Sequence, residues 1–280
     1  MERYLNIREI QLEEKNILDH VVRFLDKNNI NYSLCGGTLL GAIRHKGFIP
    51  WDDDIDILMT RPEYDKLQEI IKKDNSILGN NLYFHSVESN NSNMPFTKVY
   101  NHNIRAFDWR YKDKYEKYLW IDIFPIDGFP ESDDECKKWF KKRNNIKRMF
   151  LYNKMNIKFL FSKKGFIKTI VRLSIKIASL FFKDNYYAKK IISLGKKYPY
   201  ETSKYTGCYV WGYGPQEKMK KEDYEKYIDV EFEGTKYKGL KEYDKYLTNL
   251  YKDYMQLPPE EKRVTHSFKA WRVEDEKIKK

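Results

Sequence analysis

Residues 36–57 read Gly36-Gly37-Thr38-Leu39-Leu40-Gly41-Ala42-Ile43-Arg44-His45-Lys46-Gly47-Phe48-Ile49-Pro50-Trp51-Asp52-Asp53-Asp54-Ile55-Asp56-Ile57. The paired glycines allow a tight turn whose backbone N–H groups approach a ligand closely, and a helix opening behind them favours an anion. Thr38 is placed to cap that helix, which runs through Arg44. Gly47 and Pro50 mark a loop. Asp54 to Met59 then alternates as a strand, with Asp54 and Asp56 on one face and Ile55 and Ile57 on the other. Asp52 shares that parity if the strand begins early.

Two carboxylates roughly 6–7 Å apart on one side of a strand repel by roughly 2–3 kcal/mol at an effective dielectric of ~20. A cation between them removes that cost. Hard divalent ions take oxygen ligands, and Mg²⁺ is usually held by one or two carboxylates plus substrate phosphates. An acidic run is more often a solvated loop or a helix cap. Here a Gly-Gly turn and a helix precede the acids and a second acid-bearing strand follows, which favours a metal site. That second strand is Trp120-Ile121-Asp122-Ile123-Phe124. Asp122 is an acid among apolar strand residues, where an unpaired charge is costly, and a shared metal explains it. Asp127 is the alternative, beyond Pro125 in a turn.

Around these motifs the chain alternates helices and strands. Apolar spacing predicts a helix over 9–28, a short strand over 32–35 and a helix from Pro62 to about Lys73. Residues 82–88, 95–100 and 103–108 read as short strands, and Leu119 to Phe124 as another, closed by Pro125. A hairpin is expected around Glu233-Gly234, then a helix over 241–254. The fold class is mixed α/β: a mixed sheet with flanking helices and a basic helical insertion. The organisation expected is a catalytic core over 1–131, the insertion over 132–200, and the C-terminal part of the same catalytic unit over 201–280.

The string over 36–57 resembles the signature of LicD-family phosphotransferases, a family that includes phosphocholine transferases and is related to the fukutin-type enzymes, and the resemblance implies a nucleotidyltransferase-like mixed sheet. Phe96-Thr97-Lys98, Trp120 to Asp127, Gly212-Tyr213-Gly214-Pro215, Phe232-Glu233-Gly234 and Asp253 to Arg263 look like later family blocks. Lys252, Gln216 and Gly239-Leu240 depart from the pattern, which leaves donor and acceptor groups open. The resemblance implies that Asp54, Asp56 and Asp122 are the catalytic, metal-binding acids, with Mg²⁺ or Mn²⁺ as cofactor. It implies that Gly36, Gly37 and Thr38 contact donor phosphates. Arg44 and Lys98 suit phosphate oxygens, though each is as readily a surface ion pair. Arg263 and His266 are expected to contact substrate. The expected reaction moves phosphocholine, or another phospho-alcohol, from CDP-choline or another CDP-alcohol to a hydroxyl of a cell-surface glycan or its lipid-linked precursor, releasing CMP.

The net charge of +12 is concentrated: residues 137–197 hold 19 Lys/Arg and one acid, Asp184. Such a segment points to a local anionic partner. Within it, Lys168, Arg172 and Lys176 fall at i, i+4 and i+8, a cationic stripe on an otherwise apolar helix over 165–182. That helix either lies in an anionic membrane interface or packs on the protein with its lysines facing water. Three cysteines with no metal spacing and no signal pattern at Met1 point to the cytoplasm, and the helix over 165–182 leaves peripheral contact with the inner face of the cell membrane open. No nucleic acid is expected, since no RNP, KH or zinc pattern is present. Two other readings stay open: a nucleotidyltransferase that releases pyrophosphate, and a non-catalytic basic module that docks on membrane or nucleic acid.

Overall fold

The computed structural model describes residues 3–112, 118–161, 166–265 and 268–274. In chain order the elements are α1 (Ile7–Lys27), β1 (Ser33–Leu34), α2 (Gly36–His45), β2 (Asp56–Thr60), α3 (Arg61–Ile71), β3 (Leu82–His85), β4 (Thr97–Phe107) and β5 (Tyr118–Phe129). Then come α4 (Asp133–Lys154), α5 (Phe166–Ser179), α6 (Asp184–Gly195), β6 (Tyr205–Gly207), β7 (Met219–Lys220) and α7 (Lys221–Tyr224). The chain ends with β8 (Tyr227–Phe232), β9 (Thr235–Leu240), α8 (Tyr243–Tyr251) and β10 (Lys269–Arg272).

The strands form one ten-stranded sheet ordered β10-β4-β5-β2-β1-β9-β8, with β3 on β4 and the β6–β7 pair on β5. β2 runs parallel to β5 and β1 parallel to β9, while the other pairs are antiparallel, so the sheet is mixed as expected. α1 opens with a capping box from Asn6 and Glu9 and packs on β4 and β5. Ile17, Leu18, Val21 and Leu25 of α1 are wholly buried, as are Ile55, Ile57, Ile121 and Ile123 of the central strands. Each such side chain stabilises the fold by roughly 1.5–3 kcal/mol relative to exposure. This fastens β2 and β5, leaving their acidic positions to the opposite face.

Several boundaries move for identifiable reasons. β2 begins at Asp56 rather than Asp54, although ladder bonding reaches Ile55, whose carbonyl accepts from Asp122 N–H at 2.9 Å. The strands expected at 95–100 and 103–108 are one strand, β4, carrying a register shift between Asn101 and Arg105. β5 does not stop at Pro125 but continues to Phe129. The Asp122 N–H points toward β2, so by parity the Pro125 nitrogen points to the other edge. There the β4 ladder ends at Ile123 and the β6 ladder starts at Asp127, so the missing N–H interrupts nothing. The hairpin joining β8 and β9 is as expected. Glu233 (φ +51°) and Gly234 (φ +71°) form a two-residue turn with both φ positive, which matches the twist of its strands.

Candidate active site

The centre of the sheet sets the geometry. Asp56 on β2 and Asp122 on β5 are direct partners in the parallel register, so their side chains share one face. Asp54, two residues ahead of Asp56, joins them. All three line one cavity of about 650 Å³ together with Gly36 and Tyr213. Burial pushes the Asp56 carboxyl well up, and the charges of Asp54 and Asp122 add to the effect. Lys98 on β4 stands 3.0 Å from Asp122 and 4.0 Å above the Trp120 ring. An adjoining cavity of about 170 Å³ shares Asp54 and Asp122 and is lined further by Lys98, Trp120, Trp211 and Arg110.

α2 sets the second edge. It starts at Gly36, whose φ of +54° is the left-handed conformation that glycine adopts without strain. A Cβ on Gly37 would come within 2.5 Å of the Asp52 carboxylate, so the missing side chain lets that acid close over the turn. Thr38 is not the cap: the N-cap position belongs to Cys35, and the buried Thr38 hydroxyl accepts the Asp56 N–H at 2.9 Å. It fixes the first residue of β2 rather than facing the cavity.

Of the expected substrate-binding residues, Gly36 and Lys98 lie at the acids. Gly37, Thr38, Arg44 and Arg263 are not among the residues lining either cavity. The Arg44 guanidinium donates to the carbonyls of Tyr254 (2.6 Å) and Gln256 (3.3 Å), which fastens α2 to the loop after α8. Arg263 donates to the Pro258 carbonyl at 2.9 Å and covers the Trp51 ring. His266 lies outside the described residues. Asp127, the alternative third acid, is buried against Arg61, with Oδ1 2.7 Å from Nη2, away from the cavity.

Part of the lining comes from residues not anticipated as site residues. Arg143, Lys147, Arg148 and Leu151 of α4, from the basic segment, line the same cavity as the three acids. Arg143 donates to the carbonyls of Tyr209 (2.9 Å) and Gly212 (2.8 Å), holding the loop that carries Trp211 and Tyr213. Lys147 sits 3.8 Å above the Trp211 ring, and burial lowers its ammonium to about 8, with Arg143 adding repulsion. Glu217 is buried, is also among the residues lining the cavity, and accepts the Tyr213 N–H. Burial raises its carboxyl to about 7, against the pull of that N–H. The i, i+4, i+8 spacing of Arg143, Lys147 and Leu151 was the available signal for a shared face.

The acids offer oxygen donors only, which fits a hard divalent cation. Among the described residues, no group of three or more His, Cys, Asp or Glu side chains is placed to hold a metal ion. Mg²⁺ is usually held by only one or two carboxylates, with waters and substrate phosphates completing its shell.

A family model described as LicD/FKTN/FKRP, nucleotidyltransferase domain, matches residues 29–163, a span that carries Asp54, Asp56, Asp122 and the α4 cations. The chain is also 33% identical over 264 residues, 94% of its length, to the lipopolysaccharide cholinephosphotransferase LicD of Haemophilus influenzae, of which it covers 96%. The chain belongs to the LicD family. Shorter matches of 53% and 51% identity over 47 residues link it to uncharacterized proteins of Rickettsia prowazekii and Rickettsia typhi, in each case 17% of this chain and 18% and 15% of theirs. As a LicD-family chain, it sets its acids on the two central strands and its Gly-Gly turn at their edge. Among the described residues, no helix is long and apolar enough to cross a membrane.

Proposed function

We propose that this chain is a phosphotransferase that moves phosphocholine from CDP-choline to a hydroxyl of a cell-surface glycan or its lipid-linked precursor, releasing CMP. The observation that carries the reading is a single cavity whose lining joins Asp54, Asp56 and Asp122 to a cationic wall of Lys147 and Arg148. A diphosphate needs both: carboxylates to hold a divalent ion and cations to meet the remaining phosphate oxygens. Near-full-length similarity to a lipopolysaccharide cholinephosphotransferase supports the choice of group and acceptor class.

In this reading Asp54, Asp56 and Asp122 hold Mg²⁺, which neutralises charge on the diphosphate when bound. Lys98 keeps Asp122 oriented, and Gly36 leaves room at the turn. Lys147 and Arg148 position the donor phosphates. The acceptor oxygen bonds to the choline-bearing phosphorus, the bond between that phosphorus and the bridging oxygen breaks so that CMP leaves with that oxygen, and the acceptor proton passes to the carboxylate cluster. Residues 132–200 serve the catalytic unit by supplying that cationic wall, and the chain works in the cytoplasm.

The test is product analysis with CDP-choline, CDP-glycerol, CDP-ribitol and CDP-ethanolamine, with Mg²⁺ and a deacylated glycan acceptor. CMP release that depends on acceptor and is fastest with CDP-choline is expected. Pyrophosphate release from CTP, with none of these donors used, would instead make the chain a nucleotidyltransferase.

A pH dependence follows from Lys147. Its charged form prevails below about 8 and is lost above it, so the KM for donor is expected to rise as pH passes that value. Lys147→Arg should flatten the rise, because a guanidinium keeps its charge. Lys147→Met should lower kcat/KM by about 10–100-fold, the cost of one charged hydrogen bond. Steady-state kinetics between pH 6.5 and 9.5 (roughly the span bracketing that titration) check all three.

A further inference from the structure

We infer that α5 and its flanks dock this chain on an anionic lipid bilayer, with the mouth of the active site at the edge of the docked face. The helix is oriented opposite to an ordinary surface helix. Lys176, on its charged stripe, is buried, and its ammonium donates to the carbonyls of Tyr152 (2.7 Å), Asn153 (2.9 Å) and Met155 (2.8 Å). These belong to the C-terminal turn of α4 and its cap, where helical carbonyls lack partners and a cation is favoured. Asn153 Nδ2 donates to the Ser179 carbonyl at 2.6 Å, and the Tyr187 hydroxyl donates to the same oxygen at 3.0 Å. Polar bonds therefore hold the helix down by its polar edge.

The apolar edge faces outward. Ile170, Val171, Ile177 and Leu180 are each more than half exposed, and Phe181 is 81% exposed. Phe161 and Trp109 extend the surface, Trp109 lying edge-on to Phe159 at 5.0 Å. Water-facing monomer surfaces rarely leave so many large apolar side chains together.

Charge decides the occupant. Lys158, Lys168 and Lys183 are exposed among these apolar residues, in a segment with 19 basic residues and one acid. A second copy of the chain would set that charge against itself. An anionic bilayer accepts both features: acyl chains take the apolar edge and head groups the lysines. The docked face also adjoins the catalytic cleft. Asn156 N–H donates to the Arg110 carbonyl and Lys112 N–H to the Lys154 carbonyl, tying the Trp109 loop to the end of α4. Tyr111 and Met155 from these two segments line the two cavities. A hydroxyl carried on a lipid would thus reach the acids without leaving the surface. The docking does not rest on which group is transferred.

The experiment is co-sedimentation of the full chain with phosphatidylglycerol/phosphatidylethanolamine vesicles and with pure phosphatidylcholine vesicles. The chain is expected to bind the anionic vesicles and to release as salt rises. An Ile177→Ser/Phe181→Ser variant should bind on the order of tenfold more weakly or worse, with unchanged melting and unchanged turnover of a water-soluble acceptor. Lys158→Glu/Lys183→Glu should lose the preference for anionic over neutral vesicles. Failure of the wild-type chain to bind anionic vesicles at low salt would overturn the inference, as would a Ser variant that binds equally well. A wild-type dimer that the Ser variant dissolves, with no vesicle binding, would assign the face to a second copy instead.

Discussion

Replacing Asp56 by Asn should abolish transfer while leaving the fold intact. Asn keeps the size of the side chain and its place at the start of β2, where Thr38 accepts the Asp56 N–H at 2.9 Å. What it removes is a charge facing Asp54 and Asp122 in the shared cavity. If the three acids hold the ion that neutralises the diphosphate, kcat should fall by at least a thousandfold, about 4 kcal/mol of transition-state stabilisation. Stability should move the other way. Burial and the neighbouring acids already oppose ionisation of Asp56, and a neutral amide removes that opposition. Calorimetry should therefore show an unchanged or slightly raised Tm beside the kinetic collapse. An inactive variant that also melts early would point to a structural role for Asp56, and a fully active one would remove it from the chemistry.

The second large effect is on stability. Arg61→Ala should cost about 3–5 kcal/mol, because it strands the buried Asp127 carboxylate without its partner. Asp127 Oδ1 accepts from Arg61 Nε at 2.8 Å and lies 2.7 Å from Nη2, with both residues buried. The pair joins the first turn of α3 to the distal end of β5. For a chain of this size the loss corresponds to a fall in Tm of roughly 6–20 °C. The pair lies away from the cavity, so kcat measured well below the new Tm should stay near wild type. Replacing both residues with apolar groups of similar volume should recover much of the stability. Thermal unfolding of the single and double variants checks this.

Much of the site could be read from the chain because its determinants are local. The Gly-Gly turn, the helix after it and the acids of β2 sit within 22 consecutive residues, and Asp122 lies in an unmistakably apolar strand. The parallel register of Asp56 with Asp122 then follows from pairing two strands whose other faces are isoleucine. Where sequence reading fell short, a distant partner decided the outcome. Arg44 has the position of a phosphate ligand, but carbonyls 210 and 212 residues away take its guanidinium. Pro125 resembles a strand stop until the gap between the β4 and β6 ladders is known. Lys176 reads as part of a solvated stripe, whereas the carbonyls ending α4 draw it inward. Lys147 and Arg148 look like members of a diffuse basic segment until the fold brings α4 into the lining of the cavity that holds the acids.

Mn²⁺ binding followed by electron paramagnetic resonance, with and without CDP-choline, tests the metal-held diphosphate directly. Wild-type protein should bind the ion tightly only when the diphosphate is present, and Asp54→Asn, Asp56→Asn and Asp122→Asn should each abolish that coupling. Nucleotide-dependent Mn²⁺ binding that survives in all three variants, or full turnover in the presence of excess chelator, would contradict a metal-held diphosphate at these acids.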